Sequence, residues 1–322
     1  MEFTRLGRSG LRVSRLCLGT MNFGRVIDET ESHKVLSAAA DIGISFVDTA
    51  NVYGWHEYRG RSEEILGSWF AESPSRRDTT VLATKVYSAM SEDAVDEGLS
   101  ARNIVRACDA SLRRMRTDHI DLYQMHHVDR STSWDEIWQA MEQLVTAGKI
   151  LYVGSSNFAS WNIVQANEIA RARHFLGLVS EQSVYNLCQR SIELEVLPAC
   201  RAYGVGLLPW SPLHGGVLAG TGRPERARSH EPRPSRYLAA HTEQIAAWED
   251  LCVARDLEPA ELALAWLLRQ DGVTSPIIGP RTPGQVEGAV RALSIDLDEE
   301  LVGALDEIFP GPGDQAPEAY AW

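Results

Sequence analysis

The sequence predicts a single α/β domain, spanning residues 1–322, of the (β/α)8 or TIM barrel class. Eight short apolar segments alternate with segments of helical spacing, and no stretch rich in glycine, proline and serine divides the chain. Eight strand–helix units in roughly 250–300 residues are typical of this barrel. A doubly wound open sheet is the alternative, but it binds a dinucleotide through a GxGxxG motif, which the sequence lacks.

Eight nearly continuous apolar runs predict strands that are buried on both faces, as in a parallel sheet. These runs are residues 16–19, 45–49, 80–85, 119–125, 149–155, 176–182, 205–210 and 273–279. Helical spacing is found in residues 30–42, 100–115, 134–147, 161–173, 190–203 and 261–269. The third of these helical segments has one apolar stripe, which indicates packing against a core: Trp134, Ile137, Trp138, Met141, Leu144 and Val145.

Three segments lie outside the eight units. Residues 3–16 form two alternating runs around a glycine-containing turn, and they predict a β-hairpin that closes the N-terminal end of the barrel. Residues 214–240 are rich in arginine and proline and have no periodicity, so they predict a long irregular loop, either functional or disordered. An extra C-terminal helix and tail follow the last strand, and the tail, residues 309–322, ends with Tyr320 and Trp322.

The composition favours a soluble cytoplasmic protein with a small-molecule partner. Lys+Arg 31 against Asp+Glu 44 gives a net charge of −13, which argues against nucleic acid because duplex binding needs clustered cations. No apolar run approaches the ~18–20 residues of a membrane span, and no signal peptide is recognisable. The five cysteines are scattered without a CxxC pair, so we expect neither disulfides nor a metal site. The oligomeric state stays open, a homo-oligomer included.

Four groups of complementary chemistry stand at the predicted carboxyl ends of strands, where barrel enzymes carry their sites. Asp48 ends the second strand, Tyr53 follows it, Lys85 ends the third and His126 ends the fourth. A lysine cation beside a phenol favours the phenolate, a carboxylate fixes the lysine, and a histidine orients a carbonyl oxygen by hydrogen bonding. The set predicts proton transfer to an oxygen that becomes an alkoxide, and it implies a cofactor as the source of hydride or electrons.

Each of these residues also has an ordinary structural interpretation when it is taken alone. An aspartate at a strand end often caps a turn, and a loop tyrosine often packs. Lysine is scarce among the 31 cations, which gives weight to Lys85. His126 and His127 are not expected to form a metal pair, because neighbours on a strand point to opposite faces. The pair Glu63 and Glu64 begins a helix, where acids are favoured, so we interpret it as structural.

Several motifs occur in a fixed order along the chain: DTANVYG with EEILG, ATK, DLYQMHHVD, VGSSNF and WSPLHGG. In this order they resemble the aldo-keto reductase superfamily, in the style of bacterial members related to the potassium-channel β subunits. The resemblance extends from residues 18–24 (LGTMNFG) to residues 279–282 (GPRT). It implies a catalytic tetrad in which Tyr53 is the general acid in reduction, Lys85 held by Asp48 favours its phenolate, and His126 helps to place the substrate carbonyl.

The resemblance also implies a nicotinamide cofactor and residues that hold it. Polar and aromatic side chains near the ends of the fifth to seventh strands are expected around the nicotinamide: Ser156, Asn157 and Gln182 at its carboxamide, and Trp210 stacked on its ring. The pyrophosphate is expected where backbone N–H groups can approach, near Ser211, Leu213 and the Gly215–Gly216 turn.

The GPRT segment is expected to hold the adenosine end of the cofactor. Its members are Gly279, Arg281 and Thr282, with Gln285 one turn further on near the adenine. A guanidinium fork suits a 2′-phosphate, so the predicted cofactor is NADPH/NADP⁺, with NADH as the alternative. The chain departs from the family where an acid and an amide commonly hold the adenine, since those positions are Gly288 and Ala289.

The substrate pocket is expected between the tetrad and the loops around it. Its predicted lining is Asn22, Phe23 and Trp55, with the arginine-rich loop and the tail above. The predicted function is the reversible, NADPH-dependent reduction of an aldehyde or ketone to an alcohol. The alternative is a cofactor-binding, redox-sensing or regulatory subunit related to the channel β subunits. A barrel hydrolase is disfavoured because the sequence has no GxSxG motif.

Overall fold

The chain begins with the predicted hairpin, in a computed structural model that describes residues 1–220 and 232–313. Strands β1 (Phe3–Arg5) and β2 (Arg12–Ser14) pair antiparallel. The hairpin buries two side chains in the apolar cluster formed by inward-facing strand residues, namely Leu6 and Val13. The hairpin therefore covers the N-terminal end of the barrel, as the sequence predicts.

Eight parallel strands form the barrel wall and confirm the predicted fold class. They are β3 (Cys17–Gly19), β4 (Phe46–Asp48), β5 (Val81–Val86), β6 (Ile120–Met125), β7 (Ile150–Ser156), β8 (Leu178–Gln182), β9 (Gly206–Leu207) and β10 (Ile277–Ile278). Their order in the sheet is β10-β3-β4-β5-β6-β7-β8-β9. A parallel bridge between Leu207 and Val273 links the two ends, so the sheet curls into a barrel.

Helices surround the strands. They are α1 (Glu29–Asp41), α2 (Arg61–Glu72), α3 (Pro74–Asp78), α4 (Ala101–Met115), α5 (Trp134–Thr146), α6 (Ser160–Ala172), α7 (Val196–Tyr203), α8 (Pro232–Ala240), α9 (Thr242–Ala254), α10 (Pro259–Arg269), α11 (Pro283–Arg291) and α12 (Glu299–Ile308). Four of them begin at a side chain that accepts a hydrogen bond from the first turn: Asp28, Ser100, Ser133 and Asp298. The last helix, α12, corresponds to the extra C-terminal helix.

The last two strands are much shorter than the apolar runs that predict them. Only Gly206–Leu207 and Ile277–Ile278 form regular ladders. Pro209 and Pro276 lie beside these ladders, and proline has no backbone N–H to donate to a sheet. The predicted helix 190–203 is also shorter, because Pro198 is tolerated only in a first turn and the helix begins at Val196.

The prediction of an irregular loop over residues 214–240 is wrong at both of its ends. His214–Ala219 form a 3-10 turn, and α8 occupies residues 232–240 with proline in its first position, where the missing N–H costs nothing. Residues 221–231, which hold much of the arginine-rich part, lie outside the described residues. So do residues 314–322, with Tyr320 and Trp322.

Glu63, in the first turn of α2, is fully buried and binds Arg114 Nε at 2.7 Å and Thr84 Oγ1 at 2.6 Å, which ties α2 to the barrel.

Within the part of the chain that the structure covers, no helix is long and apolar enough to cross a bilayer. The same residues contain no group of three or more side chains suited to holding a metal ion.

Candidate active site

A buried ion pair lies at the carboxyl end of the barrel, between β4 and β5. Lys85 Nζ donates to Asp48 Oδ2 at 2.6 Å and to the carbonyl oxygen of Thr49 at 2.8 Å. The lysine is fully buried and the aspartate is 2% exposed. The register of β4 and β5 explains why the two side chains meet. Alternate residues of adjacent parallel strands point to the same face of the sheet, which is here the barrel interior.

Tyr53 lies against this pair on the loop that follows β4. Its hydroxyl oxygen is 3.2 Å from Lys85 Nζ, and Nζ also stands 4.9 Å from the centre of the phenol ring. The start of α2 holds the tyrosine backbone, because the N–H groups of Gly60 and Ser62 donate to the Tyr53 carbonyl. Burial lowers the pKa of Lys85, but the charges of Asp48 and Tyr53 outweigh it and raise that pKa above its usual value. The amine is therefore an ammonium at neutral pH.

His126 follows β6 and faces the tyrosine edge-on, with ring centres 6.0 Å apart. Its ring stacks on His127 at 5.1 Å, while His127 is exposed and contacts Tyr87. Burial, the Lys85 charge and His127 together hold the pKa of His126 well below its usual range, so its imidazole is neutral at physiological pH. Among the described residues, His126 Nδ1 is buried without a hydrogen-bond partner.

The second oxygen of Asp48 carries a contact that sequence reasoning missed. Oδ1 accepts from Gln124 Nε2 and from Gln182 Nε2, each at 2.9 Å. Gln182 Nε2 also lies 3.3 Å from Gln124 Oε1, so the two amides and the carboxylate form one buried network. The available signal was a single glutamine inside the apolar strand DLYQM, since a buried amide needs partners. The network joins the tetrad to a residue predicted to hold the nicotinamide carboxamide.

The residues predicted around the nicotinamide come together on adjacent strands. Ser156 and Gln182 are directly paired across β7 and β8. Asn157 has a left-handed backbone, with φ of +61°, and its amide nitrogen donates to Ser156 Oγ at 2.9 Å and to the His126 carbonyl at 3.2 Å. Trp210 Nε1 donates to Asn157 Oδ1 at 3.1 Å. One asparagine therefore links the fifth, fourth and seventh barrel strands at this end.

The segment after β9 is a tight turn with several left-handed residues. Ser211, His214, Gly215 and Gly216 have positive φ values of 56°, 47°, 68° and 100°, and Leu213 lies between them. Two N–H groups close the turn on itself, since those of His214 and Gly216 donate to the carbonyl oxygens of Ser211 and Leu213 at 2.9 Å and 2.8 Å. Helix α8 packs closely here, because an added Cβ on Gly215 would stand 2.6 Å from Pro234 Cγ. Position 215 therefore requires glycine, because its φ is positive and because a side chain would collide with Pro234.

The GPRT segment stands at the start of α11. The backbone N–H of Arg281 donates to Gln285 Oε1 at 2.7 Å, and Thr282 is the residue before the first helical turn. Gly279 is tied to the loop after the neighbouring strand β3, since its carbonyl accepts from Asn22 Nδ2 at 3.0 Å. The structure thus brings Arg281, Thr282 and Gln285 together on one helix start, where the positive end of the helix dipole adds to the guanidinium charge.

The residues predicted for the substrate pocket differ in placement. Trp55 lies beside Tyr53, with ring centres 6.1 Å apart, in an apolar cluster that also contains Met21 and Met90. Its φ of 60° and ψ of 159° belong to a region that favours glycine. Its Nε1 is buried and has no hydrogen-bond partner in residues 1–220 and 232–313. Phe23, by contrast, has no exposed surface and packs in the large apolar cluster that the strands form with the surrounding helices.

Comparison with known proteins shows the family of this chain. The model of the aldo/keto reductase family matches residues 15–309, so the chain belongs to that family. It is an oxidoreductase of the kind that reduces carbonyl compounds with a nicotinamide cofactor.

Three curated relatives illustrate the range of the family around this chain. It is 49% identical over 326 residues to an uncharacterised oxidoreductase, YrpG, of Bacillus subtilis, covering all of both chains. It is 33% identical to a probable voltage-gated potassium channel subunit beta of Oryza sativa subsp. japonica, over 96% of each chain. It is also 33% identical to versiconal hemiacetal acetate reductase of Aspergillus parasiticus, over 96% of this chain and 97% of that one.

Proposed function

We propose that this chain reduces an aldehyde or ketone to the alcohol with NADPH, and that Tyr53 is the proton donor. The observation that carries the proposal is the 3.2 Å contact between the Tyr53 hydroxyl and the buried Lys85 ammonium. When bound, the cofactor supplies a hydride to the carbonyl carbon. Tyr53 Oη donates a proton to the carbonyl oxygen, and the ammonium stabilises the phenolate that is left.

Asp48 and His126 prepare the site for this proton transfer. Asp48 Oδ2, 2.6 Å from Lys85 Nζ, holds the ammonium beside the phenol, so the lysine needs no reorganisation as the phenolate forms. His126 is neutral, so it approaches a carbonyl oxygen as an N–H donor without bringing a charge that would oppose the ammonium. In the oxidation direction the same tyrosine accepts the proton, since each step is reversible.

The residues at the barrel rim fit a dinucleotide of this kind. Ser156, Asn157 and Gln182 supply amide and hydroxyl groups for a carboxamide, beside an indole suited to ring stacking at Trp210. The pyrophosphate belongs in this proposal at the turn around Ser211, Leu213 and Gly215, where glycine lets the backbone approach a ligand closely. Arg281 with Thr282, at the dipole of α11, fits a 2′-phosphate and favours NADPH over NADH.

Trp55 supplies the substrate-binding side of the pocket. Met21, Trp55 and Met90 present thioether and aromatic surface next to Tyr53, which suits an apolar or aromatic carbonyl compound. The buried indole N–H of Trp55 suits a second hydrogen-bond acceptor on that substrate. Asn22 bonds to the Gly279 carbonyl and Phe23 is fully buried in a separate apolar cluster, so the wall that we propose consists of Met21, Trp55 and Met90.

A direct assay tests the function. The protein is mixed with NADPH and 4-nitrobenzaldehyde, and the loss of NADPH absorbance is followed, with Tyr53→Phe as the matched variant. We expect turnover by the native chain and its loss in the variant. Absence of turnover with a broad carbonyl panel would contradict the proposal.

The similarity to a channel β subunit supports a second candidate, a cofactor-binding regulatory subunit that acts through a partner. It predicts that the chain binds NADPH but reduces no carbonyl in the same panel. All five cysteines are unpaired, which is consistent with the reducing cytoplasm that we propose for either function.

A further inference from the structure

Glu181 is a buried acid next to the site that the proposed chemistry does not use. It lies at the end of β8, beside Gln182, and it is fully buried. Because neighbours on a strand point to opposite faces, Gln182 reaches into the barrel toward Asp48, whereas Glu181 points outward between the wall and the helices. Its register partner on β7 is Ser155, whose hydroxyl donates to Glu181 Oε2.

The carboxylate binds the turn that follows β7. Oε1 of Glu181 accepts from the backbone N–H of Phe158 at 3.1 Å and from Ser183 Oγ at 2.7 Å. The Phe158 N–H belongs to the residue after Asn157, the position with a φ of +61°. Asparagine is the residue other than glycine that most readily adopts this conformation, and the hydrogen bonds around the turn fix it there. Glu181 is one of the groups that hold it, from outside the barrel.

The turn at Asn157 and Phe158 sets the geometry of the proposed nicotinamide end of the site. Asn157 Oδ1 accepts from Trp210 Nε1 at 3.1 Å, and Asn157 Nδ2 donates to Ser156 Oγ and to the His126 carbonyl. A shift of the Asn157 backbone would therefore move the indole of Trp210 and loosen the segment that carries His126. Glu181 touches none of these side chains itself.

An acid at this position has a cost that a neutral residue would avoid. Burial raises the pKa of Glu181 to about 7, although the hydrogen bonds from Ser155, Ser183 and the Phe158 backbone oppose that shift. The unfolded acid ionises at lower pH than the folded one, so this group makes the fold less stable as the pH rises from about 4.5 to about 7. The titratable group that faces it from α7 is Cys200, and burial raises the pKa of that thiol too.

We propose that Glu181 is a positioning residue for the cofactor: its carboxylate holds the Asn157–Phe158 turn, and through it Trp210 and Asn157, in the geometry that binds the nicotinamide. This inference rests on the proposed function. The ionised form holds the turn more firmly than the protonated form, since a hydrogen bond to a charged acceptor is roughly twice as strong as one to a neutral acceptor.

Two variants at this position test the inference by cofactor affinity rather than by activity. Glu181→Leu fills the space but leaves the Phe158 N–H without an acceptor, and we expect NADP⁺ to bind about tenfold more weakly. Glu181→Gln keeps an acceptor for Phe158 and Ser183 and turns its amide toward Ser155, whose hydroxyl can accept. We expect it to match the native chain near pH 6 and to bind NADP⁺ about threefold more weakly near pH 8.5.

The measurement is calorimetric titration of NADP⁺ across this pH range, expressed as the ratio of variant to native dissociation constants. The ratio cancels the titration of the cofactor's own phosphate. Glu193→Gln is the matched control, because that carboxylate binds Tyr185 and Arg190 and does not contact the turn. Its ratio should not change with pH.

The outcomes are distinct. A ratio of dissociation constants for Glu181→Gln that rises with pH supports the inference. If Glu181→Leu does not fold, this ratio alone decides the test. A flat ratio near one, with a native chain that binds NADP⁺, overturns the inference and leaves the proposed function standing. A native chain that binds neither NADP⁺ nor NAD⁺ overturns both.

Discussion

Lys85 Nζ lies 2.6 Å from Asp48 Oδ2, and neither side chain is accessible to solvent beyond a few per cent. The charge of the lysine is thus retained inside the barrel by a carboxylate whose other oxygen accepts two amide hydrogen bonds. A buried pair is costly to desolvate, and such a pair is weak support for stability by itself. Its position beside the phenol of Tyr53 supports the catalytic role that we propose for it.

Replacement of Lys85 by Met removes that charge without changing the backbone. We expect the reduction rate to fall roughly 10²-fold or more, because Tyr53 loses the ammonium that stabilises its phenolate. NADPH affinity, measured by quenching of protein fluorescence, should change less than threefold. Normal turnover by this variant would show that the phenol does not depend on the lysine.

Two further variants separate the loss of activity in Lys85→Met from its loss of stability. Asp48 is left as an unpaired buried charge, so Lys85→Met should lose about 3–5 kcal/mol of unfolding free energy. The double variant Asp48→Asn/Lys85→Met should recover much of that stability but not the activity. Lys149→Met, at an exposed pair with Asp109, should change neither.

Arg281→Ala tests the assignment of the 2′-phosphate. Loss of a charge-assisted bond should weaken NADPH binding by roughly 1.5–3 kcal/mol, while NADH, which lacks this phosphate, should be nearly unaffected. Arg291→Ala is the control on the same helix, because that guanidinium pairs with Glu261 at the surface. Equal losses for the two cofactors would place the phosphate elsewhere.

His126 should remain neutral over the working range of the enzyme. Since its pKa is held well below the usual value, its ring signals in an NMR titration should not move between about pH 8 and pH 6, where ordinary histidines titrate. Below about pH 6.5 this histidine binds a proton in the unfolded chain but not in the folded one. His126 therefore lowers the free energy of unfolding as the pH falls. His126→Gln assigns the signal. A midpoint near 6.5 for that signal would contradict the burial argument.

Trp55→Phe removes an indole N–H and keeps most of the aromatic surface. We expect KM for 4-nitrobenzaldehyde to rise about fivefold to tenfold through the lost hydrogen bond, with KM for benzaldehyde, which has no second acceptor, little changed. NADPH affinity should stay the same. Trp161→Phe, at a 58% exposed position, is the matched control. A uniform effect on both aldehydes would assign Trp55 to packing alone.

The barrel follows from the sequence because it depends on local signals. Apolar runs predict strands and strand ends share one rim, so Asp48, Lys85 and His126, which lie at or just after strand ends, are expected to meet there. Gln124 was not predictable in this way, since its partner Asp48 is 76 residues away and only the closed barrel brings them together. The same holds for Glu181, whose neighbour Gln182 was singled out for the cofactor.

Local exceptions to sequence rules account for the other differences. Prolines beside β9 and β10 shorten two strands that hydropathy alone extends. Proline also begins α8, where a high arginine and proline content predicts no regular structure. The backbone of Trp55 is a conformation that no propensity predicts for tryptophan, and tertiary contacts impose it.

The most direct test of the account is the rate of NADPH oxidation by Tyr53→Phe compared with the native chain, with 4-nitrobenzaldehyde at saturation. Phenylalanine keeps the ring contacts with Trp55 and His126 but has no proton to donate. We predict a rate roughly 10²–10⁴-fold lower, with unchanged NADPH affinity. Turnover by Tyr53→Phe at the native rate would contradict the assignment of Tyr53 as the proton donor.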